Sequence, residues 1–168
     1  LSSTQEQAII TLPAESVEKT DDVAVFQVTG VKLLTGEVNK LFTKTVKITD
    51  NVAPVLTSAT LASYDAKTKT SVFTLTLSED MATVASPVDV SDELKLLVDG
   101  TAAKLTPATA TATNVAGYTT KLNVTISGVA IDTAKAIEFE TLSVTSADLK
   151  DKAADNVLKG EAKVTVTK

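Results

Sequence analysis

Ser71-Val-Phe-Thr-Leu-Thr-Leu77 decides the fold class. Phe73, Leu75 and Leu77 alternate with Val72, Thr74 and Thr76. A period of two sends one set into a core and the other toward solvent, which is the signature of a β-strand with one buried face. Outward from this stretch the same alternation returns. Leu122, Val124 and Ile126 mark a strand over residues 121–127, and residues 56–61 read as the strand that opens the region. Ile137-Glu-Phe139 and Leu142-Ser-Val144 continue the pattern, with a bulge expected near Thr141 where the phase slips. Val164-Thr-Val166 reads as a last short strand.

Between these strands lie turn signals. Leu94-Lys-Leu-Leu-Val-Asp-Gly-Thr-Ala-Ala-Lys-Leu105 predicts a hairpin, because Asp99-Gly100 suits a type I′ turn whose two central residues need positive φ. Residues 107–117 are small, rich in Thr and Ala, and read as a loop. Residues 82–92 read as a second loop with room for one helical turn. The expectation is about seven strands between Asn51 and Lys168, arranged as an antiparallel sandwich.

Composition points the same way. The chain holds 28 Thr and 21 Val among 168 residues, and β-branched side chains suit pleated surfaces better than helices. There is no Cys, His, Trp or Arg, and all sixteen cations are Lys. Disulfides and thiolate chemistry are therefore excluded, as is any Ser-His-Asp or Cys-His site. A net charge of −5 without a single Arg argues against nucleic acid as a partner. No apolar run approaches the roughly 20 residues that span a bilayer, so membrane insertion is not expected. Leu1-Ser2-Ser3-Thr4-Gln5 lacks the basic start and apolar stretch of a signal peptide, as the mature or excised form of a secreted protein would.

Residues 1–50 are too few for the same fold. Strand signals fall at residues 8–12, 22–31 and 42–49. Asn39-Lys-Leu41 followed by Val46-Lys-Ile-Thr49 echoes Asn156-Val-Leu158 followed by Val164-Thr-Val-Thr167. The reading is that residues 1–50 are the C-terminal portion of a preceding sandwich and residues 51–168 a complete one. Thr49-Asp-Asn-Val-Ala-Pro54 joins them, with Pro54 holding the chain extended. Val31, Leu33, Leu34, Leu41 and Phe42 are expected as core residues of the incomplete sandwich rather than a docking patch.

Three motifs carry a family resemblance. Asp50-Asn-Val-Ala-Pro-Val-Leu-Thr-Ser-Ala59 resembles the opening of the immunoglobulin-like modules of Gram-positive surface-layer (S-layer) proteins. Leu75-Thr-Leu-Ser-Glu-Asp-Met81 resembles their second strand and turn, T-x-F-S-E-x-M/V. Lys150-Asp-Lys-Ala-Ala-Asp-Asn-Val157 resembles their D-x-x-G-N approach to the last strand, without its Gly. The resemblance covers residues 50–168 and only the end of residues 1–50. It implies an immunoglobulin-like β-sandwich in a self-assembling, paracrystalline coat on the cell wall of a bacterium. The implied partners are neighbouring domains and copies of the same protein, and the implied cofactor is calcium, which stiffens the arrangement of domains in that family.

Calcium wants six to eight oxygens. The candidate ligands are Asp50 in the linker, Glu79 and Asp80 in the turn after the second strand, and Asp151 and Asp155 before the last. The same acids would also cap turns with no ion at all. No EF-hand loop is present. With 21 acids, chance carboxylate pairs are expected, and the few aromatics argue against a glycosidase or carbohydrate-binding site. Asn123-Val-Thr125 matches the N-glycosylation pattern by chance inside a strand. Lys152, Lys159, Lys163 and Lys168 read as a solvated face. The expected function is structural and non-enzymatic. The alternatives are an adhesin or ligand-binding module, and an accessory domain of a secreted enzyme.

Overall fold

A computed structural model describes residues 9–32, 35–38, 41–84, 87–106, 109–144 and 148–168. It divides into two compact units, residues 1–52 and 53–168. Every regular element among the described residues is a β-strand.

The N-terminal unit is built on two antiparallel strands, β1 (Asp21–Val28) and β2 (Phe42–Ile48). Their register pairs Val28 with Phe42, Phe26 with Lys44 and Ala24 with Val46, with an irregularity between Asp21 and Ala24. Asn51 pins the preceding segment. Its Oδ1 accepts the backbone N–H groups of Ser16 and Val17 at 3.0 and 2.9 Å, and its Nδ2 donates to the Pro13 carbonyl at 3.0 Å. Ile10, Leu12, Phe26, Val28, Phe42 and Val46 line a groove of about 530 Å3 over one face of the ribbon.

One expectation fails in this unit. Residues 9–12 join no ladder, and Ala8 lies outside the described residues. Val31, Leu41 and Phe42, expected as core of an incomplete sandwich, are 46%, 58% and 52% exposed, and among the described residues no second sheet of this unit lies opposite the ribbon to enclose them. Leu33, Leu34 and, from the proposed repeat, Asn39 and Lys40 lie outside the described residues.

The C-terminal unit is a β-sandwich. Its strands are β3 (Leu56–Asp65), β4 (Thr70–Leu77), β5 (Val88–Asp89), β6 (Leu94–Val98), β7 (Thr101–Ala102), β8 (Ala110–Asn114), β9 (Lys121–Ser127), β10 (Ile137–Thr141) and β11 (Lys163–Thr167). Hydrogen bonds link them in one continuous order, β5-β8-β9-β4-β3-β11-β10-β6-β7, which curls into two sheets, β5-β8-β9-β4-β3 and β11-β10-β6-β7. The sheets meet at β11, which pairs antiparallel with β10 through Lys163–Thr165 and parallel with β3 through Val166 and Thr167. Set in chain order, β3, β4, β9 and β8 take the places of strands A, B, E and D of an immunoglobulin constant-type domain. β6, β10 and β11 take those of C, F and G.

Alternation explains the core. Phe73, Leu75 and Leu77 of β4 and Leu122, Val124 and Ile126 of β9 face inward, all at most 4% exposed. From the other sheet come Leu94, Leu96, Ile137 and Phe139, all at most 1% exposed. Each such side chain contributes about 1.5–3 kcal/mol on leaving water. On the outer face Thr74 Oγ1 and Asn123 Oδ1 lie 2.9 Å apart across the β4–β9 ladder, which engages the Asn of the glycosylation-like motif. The hairpin at Asp99-Gly100 forms as its chemistry demands, with φ of 53° and 76°.

Three local expectations are corrected. Residues 110–114 are not loop but β8. Ala110 and Ala112 are fully buried against β9, while Thr111 and Thr113 point away. Small side chains gave no hydrophobic alternation, yet they let β8 lie close over the core. Residues 88–89 form the short edge strand β5 on β8 rather than loop, and a helix-like turn follows, with Glu93 and Leu94 N–H both donating to the Val90 carbonyl. Leu142-Ser-Val144 is no strand, and β10 keeps an even register to Thr141 with no bulge. Leu142 N–H still donates to the Glu93 carbonyl at 2.8 Å in that same register, but the Glu93 N–H turns to the Val90 carbonyl, so the ladder ends there. Thr141 meanwhile satisfies the chain entering β11: its N–H donates to the Ala162 carbonyl at 2.8 Å and its Oγ1 to the Lys159 carbonyl at 2.7 Å.

Candidate functional site

Four of the acids singled out in the sequence, Glu79, Asp80, Asp151 and Asp155, fall at turns of the sandwich, and the backbone explains how. β4 ends at Leu77, whose N–H donates to the Thr120 carbonyl, and Met81 N–H donates to Thr119. The intervening turn carries Glu79 and Asp80. The segment before β11 then closes on this turn. Met81 and Asp151 form an isolated antiparallel bridge, Ala82 N–H donates to the Lys150 carbonyl at 2.8 Å, and Lys152 N–H to the Asp80 carbonyl at 2.9 Å. The start of β3 joins them. Ser78 and Val55 exchange two hydrogen bonds, and Lys159 N–H reaches the Pro54 carbonyl at 2.8 Å.

Asp151 is fully buried. Its Oδ1 accepts the Ala154 N–H at 2.7 Å and its Oδ2 the Asn156 Nδ2 at 2.6 Å. Its own N–H donates to the Asn156 carbonyl at 2.9 Å. Asp151 thus shapes the turn that leads toward β11. Glu79 is half-buried, and its carboxylate approaches that of Asp151 to within 4.8 Å. Two oxygens bound to one calcium at about 2.3–2.6 Å each stand at most about 5 Å apart, so this pair can share a cation. Each carboxylate oxygen has a second lone pair, so the hydrogen bonds to Asp151 do not block coordination. Further ligands would be carbonyls and water.

The other predicted ligands have other roles. Asp80 is exposed and accepts the Thr119 hydroxyl. Asp155 is exposed in the left-handed region at φ 59°. Neither joins Glu79 and Asp151. Asp50 belongs to the N-terminal unit, where its N–H donates to Thr20 Oγ1 at 3.1 Å and its Oδ1 accepts the Val52 N–H at 2.9 Å. Of the lysines read as a solvated face, Lys163 pairs with Glu138 at 2.9 Å and Lys168 Nζ donates to the Lys135 carbonyl.

Sequence reasoning missed Glu93. It is 1% exposed, and its two carboxylate oxygens accept the N–H groups of Asp148 and Leu149 at 2.6 and 3.1 Å. Burial pushes its acidity toward higher pH, the two backbone donors oppose this, and the charges of Asp92 and Asp148 add to the upward push. In Ser91-Asp-Glu-Leu94 it read as one more surface acid. Only its place directly before a buried strand hinted otherwise.

No helix among the described residues is long and apolar enough to cross a membrane. No family model matches the chain, and no curated protein matches it. Among solved structures, the crystal structure of the N-terminal part of the bacterial S-layer protein SbsC is similar. It has 14% sequence identity and a TM-score of 0.44, and the match covers 70% of this chain and 24% of that one. The chain therefore spans about a quarter of that neighbour, and the likeness between them is a weak one of fold.

Proposed function

We propose that this chain is a structural, non-catalytic segment of a bacterial surface-layer protein. It would contribute stiff immunoglobulin-like modules to a self-assembling coat outside the cell. One observation carries the reading. Within the sandwich, the three stretches that resemble S-layer modules are brought together. Pro54 and Val55 of the first, Ser78 to Met81 of the second, and Lys150 to Lys152 of the third interlock through backbone hydrogen bonds and the Met81–Asp151 bridge. Motifs far apart in sequence that form one structural knot behave as a unit, which chance matches would not.

In this reading the partners are neighbouring domains and copies of the same protein. Calcium is the cofactor, held by Glu79 and Asp151. Its work would be mechanical: neutralising paired carboxylates and fixing the turns that carry them. Immunogold labelling of intact source cells with antibodies to this chain tests the role. A dense, continuous peripheral label is expected, and label confined to the cell interior would sink the proposal.

A further inference from the structure

Of the twelve aspartates in the chain, Asp99 alone precedes glycine, and none of the five asparagines does. An aspartate carboxyl and the next backbone nitrogen can close a small imide ring. Glycine obstructs this least, because it has no side chain to keep another group from its backbone. Asp99 and Gly100 form the tip of the β6–β7 hairpin and are both exposed. No atom lies within 4 Å of the place a Gly100 Cβ would take. The carboxylate is reached by solvent as well: Lys135 Nζ meets Asp99 Oδ2 at 2.7 Å, with the two side chains 50% and 59% exposed.

Ring closure brings Asp99 Cγ onto Gly100 N, so the turn must first open, and the hairpin makes this a small event. β7 has two residues, both exposed, and pairs with β6 alone, Leu97 with Ala102 and Val98 with Thr101. One more bond follows, from Ala103 N–H to the Leu96 carbonyl at 2.8 Å. On the β6 side Asp99 N–H is tied to the Ala136 carbonyl at 2.8 Å, which confines the opening to Gly100 and β7. A segment with so few buried contacts opens at a small fraction of the cost of global unfolding. We infer that Asp99-Gly100 is a self-modification site, at which aspartate becomes isoaspartate with no enzyme. Gly100 N attacks Asp99 Cγ and loses its proton, the Cγ–O bond breaks, and water leaves. Water then adds to the Asp99 main-chain carbonyl carbon and breaks its bond to Gly100 N. The chain now runs through Cβ and Cγ, and a free carboxylate stands on Cα. Composition is unchanged, and nothing is oxidised or reduced. One extra main-chain carbon enters a two-residue turn whose geometry sets the register of its strands. The Val98–Thr101 pairing is therefore lost, and β6 becomes the edge of its sheet.

The test incubates the full chain at neutral pH for several weeks, below its melting temperature. Isoaspartate is located by electron-transfer fragmentation and counted with an isoaspartyl methyltransferase. It should accumulate at Asp99 ahead of every other aspartate. Asp99→Glu keeps a carboxylate but needs a larger, slower-forming ring, and should stay unmodified. Asp99→Asn suits the same turn and closes the same ring with loss of ammonia, so its mass should rise as the amide becomes an acid. In the aged wild-type fraction, hydrogen exchange at the Val98 and Thr101 amides should quicken. A folded chain that forms no isoaspartate at Asp99, while a peptide of residues 95–104 does, overturns the inference. Modification spread evenly over the aspartates overturns it too, as does an aged fraction whose hairpin amides keep their protection.

Discussion

Phe73 of β4 and Phe139 of β10 meet edge to face across the two sheets, their ring centroids 4.9 Å apart and their planes at 85°. Both are fully buried. This contact joins the strand whose alternation announced the fold to the strand at the centre of the opposite sheet. Truncating either ring, as in Phe139→Ala, should destabilise the sandwich by about 3–5 kcal/mol. A double-mutant cycle with Phe73→Leu and Phe139→Leu, read by urea unfolding, should give a coupling of about 0.5–1.5 kcal/mol. Strict additivity would mean that the rings act only through the area they bury.

Glu93 makes stability depend on pH in an identifiable direction. Its folded-state acidity is shifted up from the ordinary 4.5, burial being the largest cause. The folded protein therefore holds the proton more tightly than the unfolded chain. The stabilisation is complete below pH 4.5 and is lost as pH rises through the folded-state value. Asp92 and Asp148 add to this by repelling the ionised form. Comparing urea midpoints of wild type and Glu93→Gln, the advantage of the wild type should shrink from pH 4 toward neutrality. An advantage that grows over that range would contradict the assignment. Glu93→Ala, which strands the Asp148 and Leu149 N–H groups, should cost about 1–3 kcal/mol for each donor left unpaired.

Calcium is tested by a thermal melt. A ligand bound only by the folded state adds roughly 2.7 kcal/mol at a hundred times its dissociation constant. EDTA should lower the melting temperature, and calcium but not magnesium should restore it. Glu79→Gln, which keeps the side chain's shape and removes its charge, should abolish the response. A melt indifferent to EDTA and calcium would dismiss the ion from this chain.

Gly160 sits where two segments nearly touch. A Cβ there would lie 2.6 Å from Ser143 N and 2.8 Å from Ser143 Cα, and closer still to Ser143 Oγ. Because the neighbour is backbone, it cannot swing aside. Gly160→Ala should cost about 1–3 kcal/mol, as overpacking does elsewhere. Gly128→Ala, at φ 78° with open space around it, separates conformational strain from steric collision. A Gly160→Ala protein as stable as the wild type would show that the 142–144 segment yields freely.

The sequence by itself determined the class of fold. Alternation in residues 71–77 and 121–127 needs no tertiary knowledge, because a pleated strand with one wet face imposes a period of two wherever it occurs. The Asp99-Gly100 hairpin was legible for a similar reason, since positive φ is a local property of two residues. Glu79 and Asp151 were legible as acids in turns.

Tertiary structure decided what depended on partners distant in the chain. β8 was invisible because its inward residues are Ala110 and Ala112, whose burial comes from β9 lying beside them and not from their own hydrophobicity. Leu142–Val144 looked like a strand and is not, since the partner strand ends where Glu93 turns its N–H to Val90. Val31, Leu41 and Phe42 looked like core and are exposed, because among the described residues the ribbon has no second sheet of its own unit to bury them against. Glu93 itself has the charge of a surface residue, and only the two N–H groups that the fold aims at its carboxylate make its burial tolerable. Local periodicity reports what one strand prefers; which face is covered, and which acid meets which donor, is fixed only when segments tens of residues apart come together.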